Sequence, residues 1–240
     1  MEYGLQLYSV RDITGKEMGR ALKEVAAMGY KFVEFAGFFG IPAAEIRAML
    51  DEYGLEVSGT HTGWQEVADN FEATVAYHKA IGNKNIIVPG ADLNCQAKID
   101  AFVEMANKFQ PMLAAEGIAF GYHNHSHEFH PNADGSMIHA QLELRTNLEF
   151  EIDTYWAFNA KVDPIQILER LKNRIRVIHL KDGDEAGPGF ALGEGKAPVA
   201  AVREKAIEMG IRMVVESETL QPDGLSEVKR CIDYLKTLDA

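Results

Sequence analysis

Side chains that can ligate a metal stand at the ends of several short apolar runs in this sequence of 240 residues. Asp153, His179 and Glu216 each come directly after such a run. Carboxylate oxygen together with imidazole nitrogen suits a divalent cation such as Mn²⁺, Mg²⁺, Co²⁺ or Zn²⁺. Any one of the three alone would indicate a polar residue that is hydrogen-bonded to a neighbouring loop. Three on successive runs predict a site for one divalent metal ion.

A histidine-rich segment follows the fifth apolar run and contains five of the eight histidines of the chain. His123, His125 and Glu128 lie within reach of the end of that run. Histidine titrates near neutral pH, and a carboxylate can also accept or donate a proton. Each of these three residues is therefore a candidate general base or acid. Glu128, the nearest carboxylate, is also the candidate fourth metal ligand. His130 and His139 are expected to be surface histidines without a chemical role.

Lys181 lies two residues beyond one of the candidate ligands, and the period of a strand puts both side chains on the same side. An ammonium group beside a metal could bind a substrate oxygen or a developing enolate, which would make Lys181 catalytic. The alternative is a salt bridge to Asp182 or Asp184 at the edge of the sheet. The residues do not decide between these two interpretations.

Other polar and aromatic residues at or near strand ends are candidates for substrate binding. Gln6, Glu34 and His61 belong to the first three runs, and Trp156 follows the sixth. Polar side chains at such positions need partners when they are buried. Aromatic rings there can stack on a sugar or on an aromatic group. We expect these four residues to line a pocket for a small-molecule substrate.

The elements that must position these residues alternate regularly between strand and helix. Strands are predicted at 3–8, 32–35, 56–60, 85–88, 119–122, 149–152, 176–180 and 212–215. Helical periodicity covers 17–28, 43–52, 71–81, 97–116, 165–170, 199–208 and 225–238, with an irregular segment after strand five. Eight such units predict an α/β fold, a single (β/α)₈ TIM barrel over residues 1–240. An open doubly wound sheet is disfavoured because no G-x-G-x-x-G follows the first strand.

Composition excludes several classes of function. With 24 Lys and Arg against 36 Asp and Glu, the formal net charge is −12, so nucleic acid is not an expected partner. The sequence has no long apolar run and no leader-like start, which predicts a cytoplasmic protein without a membrane partner. It also lacks the G-x-x-x-x-G-K-[ST] phosphate loop and the G-x-S-x-G nucleophile elbow.

Seven motifs resemble, in order, those of the sugar phosphate isomerase/epimerase family of xylose isomerase-like barrels. They are GLQLYSVRD at 4–12, SGTHTG at 58–63, GYHNH at 121–125, EIDTYW at 151–156, HLKD at 179–182, LGEG at 192–195 and VVE at 214–216. The resemblance implies one divalent metal ion at the C-terminal mouth of a closed barrel. Its ligands would be a Glu, an Asp, a His and a second Glu from strands five to eight. Asp153, His179 and Glu216 match the last three.

The first ligand position departs from the family pattern. Where relatives have a Glu before Asn-His, this chain has His123 before Asn124-His125. The His-Asn-His pattern is similar to that of lyases that cleave 3-keto-glycosides, including C-glycosides. A metal-dependent isomerase or epimerase acting on a keto-sugar or sugar phosphate through an enediolate is therefore the first hypothesis. A keto-sugar lyase or dehydratase is the second, and a non-catalytic subunit of an enzyme complex is the third. A homo-oligomer is possible on each of them.

Overall fold

The computed structural model describes residues 1–185, 187 and 189–240. The strands in these described ranges are β1 Gly4–Gln6, β2 Phe32–Phe35, β3 Glu56–His61, β4 Asn85–Val88, β5 Ala119–His123, β6 Glu149–Asp153, β7 Ile175–Leu180, β8 Asp182–Gly183, β9 Gly189–Phe190 and β10 Arg212–Val215. Eight of them are parallel and close into a barrel in the spatial order β1, β2, β3, β4, β5, β6, β7 and β10. The antiparallel pair β8 and β9 lies in the loop after β7. The predicted (β/α)₈ barrel is confirmed.

Helices surround the barrel and connect its strands. They are α1 Arg11–Met28, α2 Ala43–Tyr53, α3 Trp64–Asp69, α4 Phe71–Ala80, α5 Gln96–Ala115, α6 Ile138–Arg145, α7 Thr154–Asn159, α8 Pro164–Leu171, α9 Val199–Met209 and α10 Gly224–Leu238. None of the helices in the described ranges combines the length and the apolar character that crossing a membrane requires. The segment after strand five, predicted to be irregular, contains a 3₁₀ turn at His127–Phe129 and then α6.

The barrel interior is apolar at its N-terminal end and polar towards its C-terminal end. Phe32, Ile87, Val177 and Val214 form a small buried cluster at the N-terminal end. Gly4 makes room for it, because a Cβ atom there would collide with the Phe32 ring.

Further along the same strands, the inward positions become polar. Two residues beyond three members of the apolar cluster stand Glu34, His179 and Glu216, all buried. Successive inward positions on a strand are two residues apart, so these side chains form the next layer of the interior. The fold therefore gathers its buried charges at the C-terminal mouth, where such barrels place their active sites.

Candidate metal centre

Four side chains from four neighbouring strands converge at the barrel mouth. His123 ends β5, Asp153 ends β6, His179 lies in β7 and Glu216 follows β10. One ligand atom from each lies within 4.8 Å of the others. His179 Nδ1 is 3.3 Å from Glu216 Oε2 and 3.8 Å from Asp153 Oδ2. His123 Nε2 is 3.6 Å from the same Asp153 oxygen.

The hydrogen bonding of this group fits a divalent cation. Both ring nitrogens of His123, the Nδ1 of His179 and the Oδ2 of Asp153 are buried without a hydrogen-bond partner. Buried polar atoms are nearly always paired, so unpaired atoms that face one another need an explanation. A metal ion between them would satisfy one nitrogen of His123 together with His179 Nδ1 and Asp153 Oδ2. Two imidazoles with two carboxylates suit Mn²⁺, Co²⁺ or Zn²⁺. The group could therefore hold a metal ion.

A second layer of buried polar side chains supports the group from below. The Nε2 of His179 lies 2.8 Å from Glu34 Oε2, and Gln6 donates to the same oxygen at 2.7 Å. His61 Nε2 lies 2.7 Å from Glu151 Oε2. A carboxylate behind a ligating histidine fixes its ring and leaves the other nitrogen free for the metal. Gln6 and Glu34, expected in the substrate pocket, thus lie beneath it and orient His179.

Glu151 is a buried member of this second layer that was not predicted from the sequence. Burial raises the pKa of both Glu34 and Glu151, but the charges of His61 and His179 lower that of Glu34 to about 2. At Glu151, burial and the negative charge of the neighbouring Glu34 both raise the pKa, which lies well above its usual value. The pair therefore holds one negative charge and one proton. Burial lowers the pKa of His61 to about 3, although the charge of Glu34 opposes this effect.

Lys181 extends into the same polar interior and is completely buried. Its Nζ lies 2.5 Å from Glu218 Oε2, 3.2 Å from Glu216 Oε2 and 4.7 Å from the centre of the Trp156 ring. Burial lowers the pKa of this ammonium, but the carboxylates of Glu216, Asp153 and Glu218 outweigh burial and raise it. Lys181 therefore stays charged beside the group of four.

The alternative salt bridge of Lys181 at the barrel edge does not form. Asp182 is buried and accepts hydrogen bonds from backbone N–H groups of the loop after β7, including those of Gly193 and Gly195. Asp184 instead pairs with Lys196 at 3.0 Å.

Glu128 is not brought to the group of four, and His123 occupies the fourth position. The Glu128 carboxylate turns back into the loop after β5, where it accepts a hydrogen bond from the backbone N–H of His125 at 2.8 Å and from the Tyr122 hydroxyl at 3.2 Å. With His125 and His127 it forms a separate cluster that contains ligand-type atoms.

His125 is partly exposed and carries a carboxylate behind its ring. Its Nδ1 is buried and lies 3.8 Å from Glu128 Oε1. Burial lowers the pKa of His125, but Glu128 outweighs this effect and raises it overall. His125 can therefore hold a proton near neutral pH.

His139, expected at the surface, is buried. Its ring packs between Phe129 and Phe150, with centroid distances of 4.4 and 5.0 Å. Its Nδ1 lies 2.7 Å from Glu143 Oε1. The expected exposure is wrong because α6 covers this side of the barrel, and the ring is part of the packing there.

A pocket of about 440 Å³ opens above the group of four. It is lined by Tyr8, Ala36, Gly37, His61, Pro89, His123, His125, Glu216 and Glu218. Two of the four candidate metal ligands and His125 thus face one space large enough for a monosaccharide. Trp156 lies beside Lys181 rather than among these lining residues.

A buried carboxylate on α10 holds the loop that carries Glu218. Glu227 is completely buried and accepts hydrogen bonds from the Ser217 hydroxyl, from the Thr219 hydroxyl at 2.7 Å and from the backbone N–H of Gln221 at 2.6 Å. Its partners in that loop are all neutral donors. Glu227 therefore fixes the segment between β10 and α10 without a buried cation.

Glu227→Ala is expected to lower the free energy of unfolding by about 3 kcal/mol, because several buried donors lose their acceptor together. Urea unfolding followed by circular dichroism measures the change. Glu194→Ala is the matched control, since Glu194 pairs with Arg230 of the same helix but is exposed. The control is expected to change stability by less than about 1 kcal/mol. Equal effects of the two substitutions would contradict the role of Glu227.

A family model described as "xylose isomerase-like TIM barrel" matches residues 22–238 of this chain. The chain belongs to this family. The match covers nearly the whole barrel, and it confirms the family resemblance found from the motifs.

Two curated relatives of this xylose isomerase-like barrel are inosose dehydratases. The protein from Mesomycoplasma hyopneumoniae strain 7448 is 25% identical over 192 residues, which cover 68% of this chain and 61% of the relative. The protein from Geobacillus kaustophilus strain HTA426 is 22% identical over 196 residues, with the same coverage. The matched region therefore spans about three-fifths of the length of these relatives.

Solved structures extend the comparison. A sugar phosphate isomerase/epimerase from Parabacteroides distasonis ATCC 8503 is 26% identical with a TM-score of 0.86, covering 98% of this chain and 97% of that one. A probable 3-DHS dehydratase from Bacillus anthracis is 12% identical with a TM-score of 0.74, covering 98% and 99%. This last similarity shows the fold alone. The other relatives agree with an enzyme of the isomerase or lyase type.

Proposed function

We propose that this protein is a metal-dependent lyase that removes a β-substituent from a keto-sugar or a related cyclic polyhydroxylated ketone. The observation that carries the proposal is the set of unpaired buried ligand atoms on His123, Asp153 and His179 beneath an open pocket. A divalent ion held by these residues would supply positive charge to the oxygen of an enolate. The chain's own residues then have to bind the ketone and move the proton.

The charge of the pocket favours a substrate without phosphate. Among the described residues that line it, Glu216 and Glu218 are charged and none is Lys or Arg. The ammonium of Lys181 lies below and is already paired with both carboxylates. A phosphate group would therefore depend on the bound metal ion and His125 for positive charge, whereas sugar hydroxyls would find acceptors in the two glutamates.

We infer that His125 moves the proton. It lines the pocket, and Glu128 faces the Nδ1 side of its ring. We assign to it removal of the proton from the carbon next to the ketone. The electron pair of the broken C–H bond forms the enolate, the bond to the β-substituent breaks as the enolate collapses, and the leaving group takes the proton from His125. Lys181 keeps Glu216 and Asp153 in place and adds positive charge below the enolate.

Two features favour elimination over isomerisation. Glu216 has no carboxylate facing it from β5, because that strand ends in His123. Of the two glutamates that the family resemblance implies on strands five and eight, only Glu216 is thus present among the described residues of the group, so it has no glutamate partner for moving a proton between two sugar carbons. The curated relatives are dehydratases. The isomerase or epimerase hypothesis is retained as the second candidate because of the Parabacteroides structure at a TM-score of 0.86.

The proposal is tested by incubating the Mn²⁺-loaded protein in D₂O with an inosose and with a methyl 3-keto-glucoside. We expect exchange of the α-proton by NMR, together with release of water or methanol. Exchange with rearrangement of the carbonyl but no release would overturn the lyase and favour the isomerase. No exchange and no release would overturn both and favour the non-catalytic subunit.

His125→Asn is expected to lower the rate of this exchange by about 10²-fold or more, since it removes the proton carrier. His130→Asn is the matched control, because His130 is an exposed histidine of the same segment. NMR initial rates at a fixed Mn²⁺ concentration compare the two variants. An unchanged rate in His125→Asn would exclude His125 as the proton carrier.

A further inference from the structure

A basic cavity of about 570 Å³ lies at the N-terminal end of the barrel, on the face opposite the candidate metal centre. Residues at the start of β3, β4, β7 and β10, and residues of the turns before these strands, form its walls. Val177 lines the cavity and also belongs to the small apolar cluster at this end of the barrel. That cluster separates the cavity from the polar interior, so a ligand here would not reach the metal centre.

The charge of this basic cavity is opposite to that of the chain as a whole, which carries a formal net charge of −12. Among the described residues that line it, four side chains are cationic and one, Glu56, is a carboxylate. The cations are Arg47, Lys84, Arg176 and Arg212. They come from α2, from the turn before β4, from β7 and from β10. The fold thus gathers into one concave space positive charge that is dispersed in the sequence, and such a space attracts anions.

The ion pairs of these cations leave positive charge available to a ligand. Lys84 is exposed, and its side chain has no salt bridge or hydrogen bond within the described part of the chain. Arg212 pairs with Glu56 at 2.8 Å and Arg47 pairs with Asp51 at 2.5 Å, but these two carboxylate side chains are 73% and 68% exposed. Exposed ion pairs contribute little to stability, so a bound anion can take the place of either carboxylate.

The arginines of the cavity are already oriented in the structure. The guanidinium carbon of Arg212 lies 3.9 Å from the centre of the Phe32 ring. Arg176 uses its Nε for an ion pair with Glu149, and its two terminal nitrogens have no acceptor among the described residues. The Nε of Arg47 is buried without a hydrogen-bond partner. Side chains that are held before binding lose less freedom when a ligand arrives.

We propose that this basic cavity binds a small molecule that carries two or more phosphate groups. A phosphate group carries nearly two negative charges near neutral pH, and guanidinium groups bind its oxygens in pairs. Four cations from four segments around about 570 Å³ suit several phosphate groups better than one. Because the candidate metal centre lies at the other end of the barrel, this ligand is not the substrate. The inference does not depend on the proposed reaction.

Titration calorimetry with sodium tripolyphosphate tests the proposal, at low salt and without divalent cations, which tripolyphosphate would chelate. We expect one ion per chain, bound about tenfold more tightly than orthophosphate or citrate. Lys84→Glu should weaken this binding by about tenfold or more, because it reverses the charge of the unpaired cation. Lys108→Glu is the matched control, since Lys108 is exposed on α5 and the substitution changes the net charge equally. The control should change the dissociation constant by less than about twofold.

The comparison of ligands and variants decides the proposal. Tight binding that depends on Lys84 but not on Lys108 would support it. Equal affinities for tripolyphosphate and orthophosphate, or for tripolyphosphate and citrate, would overturn the proposed ligand class. No measurable binding, or an equal loss in the two variants, would overturn the site itself. His125→Asn should bind tripolyphosphate as the parent does, and a loss of affinity there would instead place the anion at the barrel mouth and contradict the proposal.

Discussion

Replacing His123 with alanine is expected to reduce bound Mn²⁺ from one ion per chain to less than a tenth. The substitution removes one of the four candidate ligands. Both ring nitrogens of His123 are buried without a hydrogen-bond partner, so the ring has no other role in the hydrogen bonding of the site. His179→Ala should have an effect at least as large, because it also removes the hydrogen bond between this ring and Glu34. Elemental analysis after dialysis against a known free Mn²⁺ concentration measures the occupancy.

Glu128→Gln is the control that separates the two possible ligand sets. Glu128 belongs to the loop cluster with His125 and His127, and its carboxylate is already held by a backbone N–H and by Tyr122. The variant should keep full occupancy. Loss of the metal in Glu128→Gln, with normal occupancy in His123→Ala, would contradict the assignment of His123 as the fourth ligand.

Lys181→Met is expected to lower the melting temperature of the protein in EDTA by on the order of 10 °C. Breaking a buried ion pair costs about 3–5 kcal/mol, and each kcal/mol shifts a chain of this size by about 2–4 °C. The substitution leaves Glu216 and Asp153 without their buried cation. Added Mn²⁺ should raise the melting temperature of the variant more than that of the parent, because the ion restores positive charge near the same carboxylates.

Calorimetric scans with EDTA and with Mn²⁺ test this expectation. Lys196→Met is the matched control, since the pair of Lys196 with Asp184 is exposed. We also expect Lys181→Met to lower turnover by about 10²–10³-fold even when it is loaded with Mn²⁺. If its stability in EDTA matched that of the parent, Lys181 would not be the charge that holds the metal-free centre together.

The barrel could be predicted from the sequence because each strand is a short apolar run bounded by turn residues. Three short helices, α3, α6 and α7, were not predicted. Helices α3 and α7 have six residues each, which is too short to show a helical period. The third, α6, lies in a segment whose histidines and glycine resemble an irregular loop. The long helices that pack between strands have a clear apolar face and were found.

Asp153, His179 and Glu216 could be selected because each ends an apolar run, and the barrel brings their carboxyl-terminal positions together. His123 and Glu151 show the limits of that reasoning. The predicted fifth strand stops one residue before His123, and the choice of ligand depended on which way the following loop folds. Glu151 resembles the polar half of an alternating strand, but it faces the interior. Its position two residues before Asp153 was the available signal.

Anomalous X-ray diffraction from crystals soaked in Mn²⁺ tests the central claim most directly. We predict a single strong anomalous peak among His123, Asp153, His179 and Glu216, with Glu34 still bound to the far nitrogen of His179. A peak confined to the loop cluster of His125, His127 and Glu128 would contradict the proposed centre. Crystals without any anomalous peak, in which Lys181 alone neutralises the carboxylates, would also contradict it.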